Sequence, residues 1–275
     1  MKIPLARLSD KNEALAEALP KFETVEKVRA EKCFREKSLQ KYQGKVYRDL
    51  FKKLKECHPL YPCGSAACPE CFRRYRLEII GEVLRLCNKR KKWRSVTLIF
   101  YQDALSDSQS LKWKPDKLIV RLRRWLKECG FSEMVIGGFE MDFHMDINKW
   151  MPHFHLIIPN DKKAIERLRV RMKNKRNMNT RKNVINRPIL VSKLKSPLRQ
   201  VSYRFKAIWG RIESVQYTES YLQGIKERKR KRWTKKYRLS GKQHADSLVI
   251  LDSIGTAGLT FMYKVRKYGD HLIMK

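Results

Sequence analysis

Residues 134–158 have the sequence MVIGGFEMDFHMDINKWMPHFHLII, and this pattern predicts two neighbouring strands of one sheet. Apolar and aromatic residues dominate 134–144 and again 151–158, which is typical of buried strands. A short polar turn at 146–149 separates the two segments. Because a connection this short can join only antiparallel strands, we expect a hairpin here.

The segments around this hairpin alternate between strand and helix patterns. Upstream, a β-branched and aromatic run at 94–101 predicts a strand, and helical spacing follows at 117–129, with a stop at Gly130. Downstream, we expect a basic helix at 163–175, a polar loop or DNA-facing insertion at 176–200, a strand at 211–217, a helix that begins at Thr218, and a short strand or helix at 247–254. This order predicts an α+β fold, an antiparallel sheet with helices on one face, rather than a doubly wound parallel sheet.

The composition limits the classes of partner. The chain of 275 residues is 42% hydrophobic, which is enough for a folded core, and 63 basic against 28 acidic residues give a formal net charge of +35. A field of this size favours polyphosphate partners and salt-sensitive association. We expect no membrane partner, because no apolar run approaches about 18 residues. We expect a cytoplasmic location, because the N-terminus lacks the apolar core of a signal peptide.

The second strand of the hairpin carries a pair of histidines. His153 and His155 point to the same face, with Phe154 on the other, because successive side chains of a strand alternate. Two imidazoles on a rigid strand can hold one metal ion and leave several coordination positions open. The alternative is that both rings are simply buried and satisfied by hydrogen bonds.

The first strand adds carboxylates to that face. Glu140, Asp142 and His144 alternate along it, and a turn centred near 147–148 would place Glu140 opposite the second histidine and Asp142 opposite the first. A register change of two residues would instead bring Asp142 and His144 close. Glu140 is therefore the first choice for a third ligand and Asp142 the second. Such ligands accept Mn²⁺ readily, and Mg²⁺ where waters complete an octahedron.

A second candidate metal site lies upstream of the hairpin. Cys57, Cys63, Cys68 and Cys71 have the spacing C-x5-C-x4-C-x2-C, and four thiolates within so short a span can close a tetrahedral zinc site. His58 is a competing ligand, and free buried thiols are the alternative. Disulfides are disfavoured in the reducing compartment that we expect.

The hairpin sequence resembles a known group of enzymes. Gly138-Phe-Glu-Met-Asp-Phe-His-Met, followed by Trp150-Met-Pro-His-Phe-His-Leu-Ile-Ile, is similar to the His-hydrophobic-His segment of rolling-circle replication initiator proteins. Those proteins belong to the HUH endonuclease superfamily, which also includes conjugative relaxases and single-strand transposases. Residues 95–100, SVTLIF, are similar to the strand motif that precedes this segment in the family. The resemblance covers about residues 57–230 and implies a ferredoxin-like core at 91–230. Helical patterning, the cysteine spacing and the basic composition predict a helical, zinc-binding region at 1–90 and a basic tail at 231–275.

The family uses a tyrosine on a helix downstream of the histidines as its nucleophile. Residues 209–226, WGRIESVQYTESYLQGIK, resemble that region, and Tyr221 is the best match. Tyr217 would share a helix face with it if the helix began earlier, but a strand that ends at Tyr217 is the simpler expectation. Many members have a lysine three residues after the tyrosine, where this chain has Gly224, and Lys226 could supply that charge. The alternative is an ordinary helix tyrosine packed on the sheet.

The resemblance implies a site-specific endonuclease and ligase that nicks single-stranded DNA through a 5′-phosphotyrosine link and so starts rolling-circle replication of a plasmid or phage. The DNA of the replication origin would contact Lys226 and Arg228 near the tyrosine, and Arg73 and Arg74 after the last cysteine, unless the cysteine segment only holds the N-terminal helices in place. A host helicase is a further expected partner, because the chain has no Gly-x-x-x-x-Gly-Lys-Ser/Thr loop. The alternatives are a single-strand transposase of the same superfamily and a non-catalytic, zinc-containing nucleic-acid-binding protein.

Overall fold

The computed structural model describes residues 13–88, 92–178, 186–206, 208–218 and 230–275. Its helices are α1 (residues 13–18), α2 (Val25–Gln40), α3 (Lys45–Lys55), α4 (Pro69–Asn88), α5 (Asp107–Ser110), α6 (Asp116–Glu128), α7 (Lys162–Met172), α8 (Pro197–Arg204) and α9 (Gly241–Gly258). Its strands are β1 (Trp93–Ile99), β2 (Val135–His144), β3 (Lys149–Pro159), β4 (Ile189–Lys193), β5 (Gly210–Thr218), β6 (Arg230–Arg238), β7 (Thr260–Tyr263), β8 (Val265–Tyr268) and β9 (His271–Met274). Across the ranges described, no helix combines the length and the apolar character needed to cross a membrane.

One sheet with the strand order β4-β1-β3-β2-β5-β6 forms the centre of the molecule. Its pairs are antiparallel except for β2 with β5, which run parallel for a short distance. β7 pairs with the beginning of β2, on the same edge that β5 occupies further along. β3 is therefore flanked on both sides, and β2 is flanked on both sides near its two ends. Both strands are buried along almost their whole length, as their apolar sequences require. The prediction of an α+β fold with a mostly antiparallel sheet is confirmed.

The pairing of β2 with β3 differs from the expected register by two residues. Glu140 lies opposite His153, so the predicted pairing of Glu140 with His155 and of Asp142 with His153 is wrong. The connecting turn occupies 145–148, and its last residue, an asparagine, has a positive φ of 52°. Asparagine tolerates this left-handed conformation, which closes the turn earlier than the polar pattern indicated. Because a shift of two residues keeps every side chain on its face, the carboxylates and imidazoles still converge.

Helices cover both faces of the sheet, which corrects the expectation of helices on one face only. Phe154, Leu156 and Ile158 of β3 share a core cluster with residues of α6 and α7. On the opposite face, Ile157 shares a cluster with residues of α4 and α8. The physical reason is that β3 is apolar on both faces here, so each face needs its own covering layer. The two histidines alternate with Phe154 and therefore lie on the face that α4 and α8 cover.

Three segments contribute more to this fold than their sequence patterns indicate. The expected loop at 176–200 contains β4 and the beginning of α8. The expected tail at 231–275 contains most of β6 and all of α9 and β7, which join the central sheet or pack on α2 and α3. The short element expected at 247–254 is part of the longer α9. Thr218 is the last residue of β5, and the helix expected after it lies outside the described residues.

Candidate metal centres and a neighbouring tyrosine

Three side chains converge on the face of the sheet that lies under α8. Glu140 of β2 and His153 and His155 of β3 are almost completely buried, and one ligand atom from each lies within 4.8 Å of the others. Glu140 Oε2 is 3.6 Å from His153 Nε2 and 3.8 Å from His155 Nε2. Since β3 pairs with β1 and β2 at both histidines, and Glu140 lies directly opposite His153, these ligand atoms are rigidly positioned.

This donor set fits a divalent ion. Ligand atoms bound at about 2.1 Å to one ion lie about 3.0–3.5 Å apart, so a small inward movement of the three side chains is sufficient. Imidazole together with carboxylate suits Mn²⁺, and Mg²⁺ where waters complete the coordination. Three protein ligands leave open positions for an oxygen of a substrate.

Asp142, the second predicted ligand, lies nearby but has other partners. Its Oδ1 accepts hydrogen bonds from the Gly210 amide at 2.7 Å and from the Lys236 ammonium at 2.9 Å. Its Oδ2 is 3.9 Å from His153 Nε2. Asp142 therefore anchors the beginning of β5 next to the cluster, and Glu140, which is closer to both imidazoles, is the better third ligand.

Lys236 of β6 supplies a positive charge that no sequence pattern indicated. Its Nζ is 3.3 Å from Glu140 Oε2 and 2.9 Å from Asp142 Oδ1. Burial lowers the pKa of Lys236, but the two carboxylates outweigh burial, and the pKa is raised. Burial raises the pKa of Glu140, but Lys236 and His153 outweigh it, and that pKa is lowered. Glu140 is thus ionised, as a carboxylate ligand must be.

The outer nitrogens of the two imidazoles have different partners. His153 Nδ1 donates to the Met151 carbonyl oxygen at 3.0 Å, so Nε2 is the nitrogen directed at the cluster. Burial lowers the pKa of His153, but Glu140 and Asp142 outweigh burial and the pKa is raised, so an ion bound at Nε2 would replace a proton there. Burial, with the positive charges of His153 and Arg204, lowers the pKa of His155 well below its ordinary value, so this ring is neutral. Because a guanidinium only donates, the 2.8 Å contact of Arg204 Nη1 with His155 Nδ1 places the ring proton on Nε2. A metal on His155 Nε2 requires the other tautomer, in which Nδ1 donates to Thr97 Oγ1, 3.0 Å away.

A tyrosine that sequence reasoning missed lies against this cluster. Tyr203 is the penultimate residue of α8, and its ring centroid is 5.7 Å from that of His155. Tyr203 is 49% exposed, so a substrate can reach it. Lys206 Nζ lies 4.4 Å from the centroid of the Tyr203 ring. The segment Tyr203-Arg-Phe-Lys206 has the tyrosine–lysine spacing of the resembled family, and that spacing is the signal that could have identified it.

The charges of the metal cluster act on this phenol. Burial raises the pKa of Tyr203, and the negative charge of Glu140 raises it further, against the effects of Lys236 and Arg204. Burial lowers the pKa of Lys206, and the nearby charge of Arg76 adds to that effect. Tyr203 is therefore a neutral phenol at physiological pH and needs an activated target to react.

The tyrosines selected from the sequence remain predictions. Tyr221 lies outside the described residues, and so do Lys226 and Arg228, which were expected to contact DNA. Tyr217 belongs to β5, next to the final residue of the strand, and only its backbone is described. The structure therefore places the ring of Tyr203 near the candidate metal ligands, while the side chains of Tyr217 and Tyr221 lie outside the described part of the chain.

The four predicted zinc ligands come together between α3 and α4. Cys57 follows the end of α3, Cys63 and Cys68 lie in the loop, and Cys71 is in the first turn of α4. The Sγ–Sγ distance is 3.4 Å for Cys57–Cys71 and 3.6 Å for both Cys63–Cys71 and Cys57–Cys68. A tetrahedral zinc ion with Zn–S bonds of about 2.3 Å separates its sulfurs by about 3.8 Å. The cluster could therefore hold a metal ion such as zinc.

The cysteine loop is attached to the N-terminal helices. Lys32 of α2 donates to the Cys57 carbonyl oxygen at 3.1 Å and forms an ion pair with Glu70 at 2.8 Å. Arg35 of the same helix donates to the Ala67 carbonyl oxygen at 2.9 Å. These contacts favour the interpretation that the cysteine segment holds the N-terminal helices in place.

The side chains expected to assist the cysteine segment differ in their availability. Arg73 forms a bidentate ion pair with Glu13, with N–O distances of 2.6 and 2.8 Å, so much of its charge is neutralised within the protein. Arg74 is partly exposed and reaches the Pro59 carbonyl oxygen at 3.5 Å, which leaves it better placed for a phosphate. His58, the competing zinc ligand, is exposed, and its Nδ1 accepts a hydrogen bond from a loop amide. DNA contact by the two arginines stays a prediction.

Comparisons with known proteins identify no relative of this chain. No protein-family model, no curated protein and no solved structure matches it. A function must therefore be inferred from the geometry of the site.

Proposed function

We propose that this protein cleaves and rejoins single-stranded DNA through a covalent link to Tyr203, with a divalent ion held by Glu140, His153 and His155. One observation carries the proposal. The Tyr203 ring lies 5.7 Å from the ring of His155, whose ligand atom is within 4.8 Å of those of Glu140 and His153. Metal ligands next to an accessible phenol are what a metal-dependent tyrosine endonuclease needs.

The chain topology supports the resemblance to HUH endonucleases. Apart from the short α5, the elements follow the order β1, α6, β2, β3, α7, β4, and the strands are arranged β4-β1-β3-β2. This order agrees with the split β-α-β arrangement of a ferredoxin-like fold. The His-hydrophobic-His segment lies on the central β3, and the helix that follows this unit carries Tyr203. An origin of replication on a plasmid or phage is the proposed DNA target.

The reaction starts from a neutral phenol, because the pKa of Tyr203 is raised. A bound divalent ion would polarise the scissile phosphate and offset the negative charge that develops on it. The Tyr203 oxygen forms a bond to phosphorus, the bond between phosphorus and the 3′ oxygen breaks, and the phenol proton balances the proton gained by the 3′ hydroxyl. The 5′-phosphotyrosine link keeps the phosphodiester energy, so the strand can later be rejoined.

Neighbouring basic side chains assist this chemistry in the proposal. The Lys206 ammonium, 4.4 Å from the centroid of the Tyr203 ring, favours the phenolate and attracts the phosphate. Arg204 attaches the end of α8 to β1 through hydrogen bonds to the Ser95 and Thr97 hydroxyls, which keeps Tyr203 beside the metal ligands. The formal net charge of +35 favours binding to the DNA backbone whatever the sequence.

A second candidate function is non-catalytic binding of nucleic acid by a zinc-containing protein. The ion pairs of Lys236 favour this candidate. The Lys236 ammonium forms ion pairs with Glu140 and Asp142 and so compensates these buried carboxylates without a metal ion. In that case the histidines are structural, and the protein binds DNA in a salt-sensitive manner without cleaving it. The experiment below separates the two candidates.

The test is the formation of a covalent adduct with single-stranded DNA in the presence of Mn²⁺. The full-length protein is incubated with random-sequence oligonucleotides labelled at the 3′ or at the 5′ end and analysed by denaturing electrophoresis. A 5′-phosphotyrosine link retains the 3′ label on the protein and releases the 5′ label on a fragment with a 3′ hydroxyl. We expect the adduct to require Mn²⁺ and to disappear in Tyr203→Phe and in His153→Ala.

Tyr221→Phe and Tyr217→Phe are matched controls, because each removes one hydroxyl from a tyrosine selected on sequence grounds. We expect both variants to form as much adduct as the parent protein. Loss of the adduct in Tyr221→Phe, with an intact adduct in Tyr203→Phe, would identify Tyr221 as the nucleophile instead. Salt-sensitive binding without any adduct under every divalent ion tested would favour the non-catalytic candidate.

A further inference from the structure

A cleft of about 700 Å³ lies beside the metal centre, between α2, α4, β6 and α9. Its volume is within the range of about 300–1,000 Å³ that is typical of small-ligand sites. Lys236, which pairs with Glu140 and Asp142, is also part of the cleft lining. The cleft and the metal centre thus share one side chain, and a ligand in the cleft would be adjacent to a phosphate at the metal centre.

The walls of this cleft combine aromatic rings with basic groups. Phe34 of α2, Phe72 of α4 and Trp209 before β5 line it, and Phe34 is 42% exposed. The Arg238 guanidinium lies 4.2 Å from the centroid of the Phe34 ring. Five lysine or arginine side chains but only two glutamates are in the lining. Exposed aromatic faces bind nucleic-acid bases by stacking, and the excess of positive charge suits the attached phosphate.

We propose that this cleft binds one unpaired nucleotide of the DNA strand, next to the phosphodiester that Tyr203 attacks; this inference rests on the function proposed above. The base stacks on Phe34, and its phosphate approaches Lys236. A base can enter the cleft only when it is not paired. The cleft therefore accounts for a preference for single-stranded over duplex DNA.

The four deoxynucleoside 5′-monophosphates dAMP, dCMP, dGMP and dTMP are the probes for this cleft. Each is titrated into the full-length Tyr203→Phe protein without added Mn²⁺, so that no covalent step contributes, and binding is measured by isothermal titration calorimetry. We expect saturable binding of at least one nucleotide. Adding Phe34→Ala should raise its dissociation constant about ten-fold, which is within the range for loss of stacking on an aromatic side chain.

Tyr268→Ala is the matched control, because Tyr268 on β8 is an exposed aromatic residue outside the cleft. It should bind nucleotides as the parent does. Absence of saturable binding by all four nucleotides would overturn the inference. So would equal binding by Phe34→Ala and the parent.

Failure of the cleft and failure of the nuclease have different signatures. If the protein binds nucleotides through Phe34 but forms no covalent adduct, the inference about the cleft holds and the proposed reaction is wrong. If the protein forms the adduct but binds no nucleotide, the proposed reaction holds and the inference about the cleft is wrong.

Discussion

Gly138→Ala tests whether α8 must lie close to the sheet for cleavage. A Cβ atom at Gly138 of β2 would be 2.1 Å from the Arg204 carbonyl oxygen and 3.5 Å from Phe205 Cα. The obstacle is main chain, so no rotation of a side chain can relieve it. Gly138 has no positive φ, and glycine is therefore required here for close approach between two backbones.

The structure sets the size of the effect. The contact must lengthen from 2.1 Å to at least 3.0 Å, so the Arg204 main chain has to move by almost 1 Å relative to β2. Tyr203 precedes Arg204 on the same helix and moves with it. Because a displacement of about 1 Å of a reacting group can cost about 10²-fold in rate, we expect adduct formation to slow by about 100-fold. The three ligands of the proposed ion belong to β2 and β3, which remain paired with each other, although the contact of Arg204 with His155 lengthens.

Single-turnover adduct formation with 3′-labelled DNA measures this rate, and the rise in melting temperature on adding Mn²⁺ reports on the metal centre. Gly81→Ala is the matched control, because its Cβ would meet only the end of the Leu15 side chain, at 3.4 Å, among the atoms described. We expect a parental rate for Gly81→Ala and a parental Mn²⁺ response for both variants. A parental rate in Gly138→Ala would refute the reasoning, because cleavage would then not depend on the close approach of α8.

Four further predictions concern the metal centres, the core and one buried ring. Cys68→Ser should lose bound zinc, measured by elemental analysis, and keep the Mn²⁺ response of the melting temperature, because the two centres share no ligand; loss of both would contradict their independence. Lys236→Met should lower the metal-free melting temperature, because breaking a buried pair costs at most about 3–5 kcal/mol, and less here since its side chain is 34% exposed. It should also respond more strongly to Mn²⁺ than the parent, and an equal response would exclude competition between ammonium and ion. Phe154→Ala should lower the free energy of unfolding in urea by about 3–5 kcal/mol, because this ring is fully buried; an unchanged midpoint would contradict its place in the core. Burial lowers the pKa of His244 from 6.5 to about 4, so the unfolded chain binds the proton first, and the unfolding free energy of the parent relative to His244→Gln should fall as the pH decreases from 6.5 to about 4; a constant difference across that window would show that the ring titrates normally.

Both candidate metal centres could be located from the sequence, because their ligands are close along the chain. Cys57 and Cys71 are joined by one short loop, and His153 and His155 alternate on one strand. Local periodicity defines which of these side chains share a face, and no distant contact is needed. Glu140 could be named as a ligand for the same reason, since a short turn connects its strand to the histidines.

The register and the tyrosine could not be obtained in this way. The register depended on where an asparagine adopts a left-handed conformation, and a polar pattern does not show that. Tyr203 follows a segment that is mostly polar and basic, which predicted a loop, and a tyrosine–lysine spacing alone is a common pattern. The tyrosine–lysine spacing becomes informative only because Tyr203 lies against His155. That position depends on the absence of a side chain at Gly138.

The α+β class, the hairpin and the cysteine cluster follow from the sequence alone, and the net charge predicts a polyphosphate partner. They depend on composition and on the spacing of residues that are near neighbours in the chain, and the period of a helix or strand determines which of these side chains share a face. Only the tertiary structure decided that Lys236, Tyr203 and the cleft surround one cluster of ligands. Lys236 lies on β6, Tyr203 lies on α8, and the N-terminal helices contribute to the lining of the cleft. These elements come together only because distant segments pack against the same sheet. That packing is set by the shapes and charges of whole surfaces, which no local pattern contains.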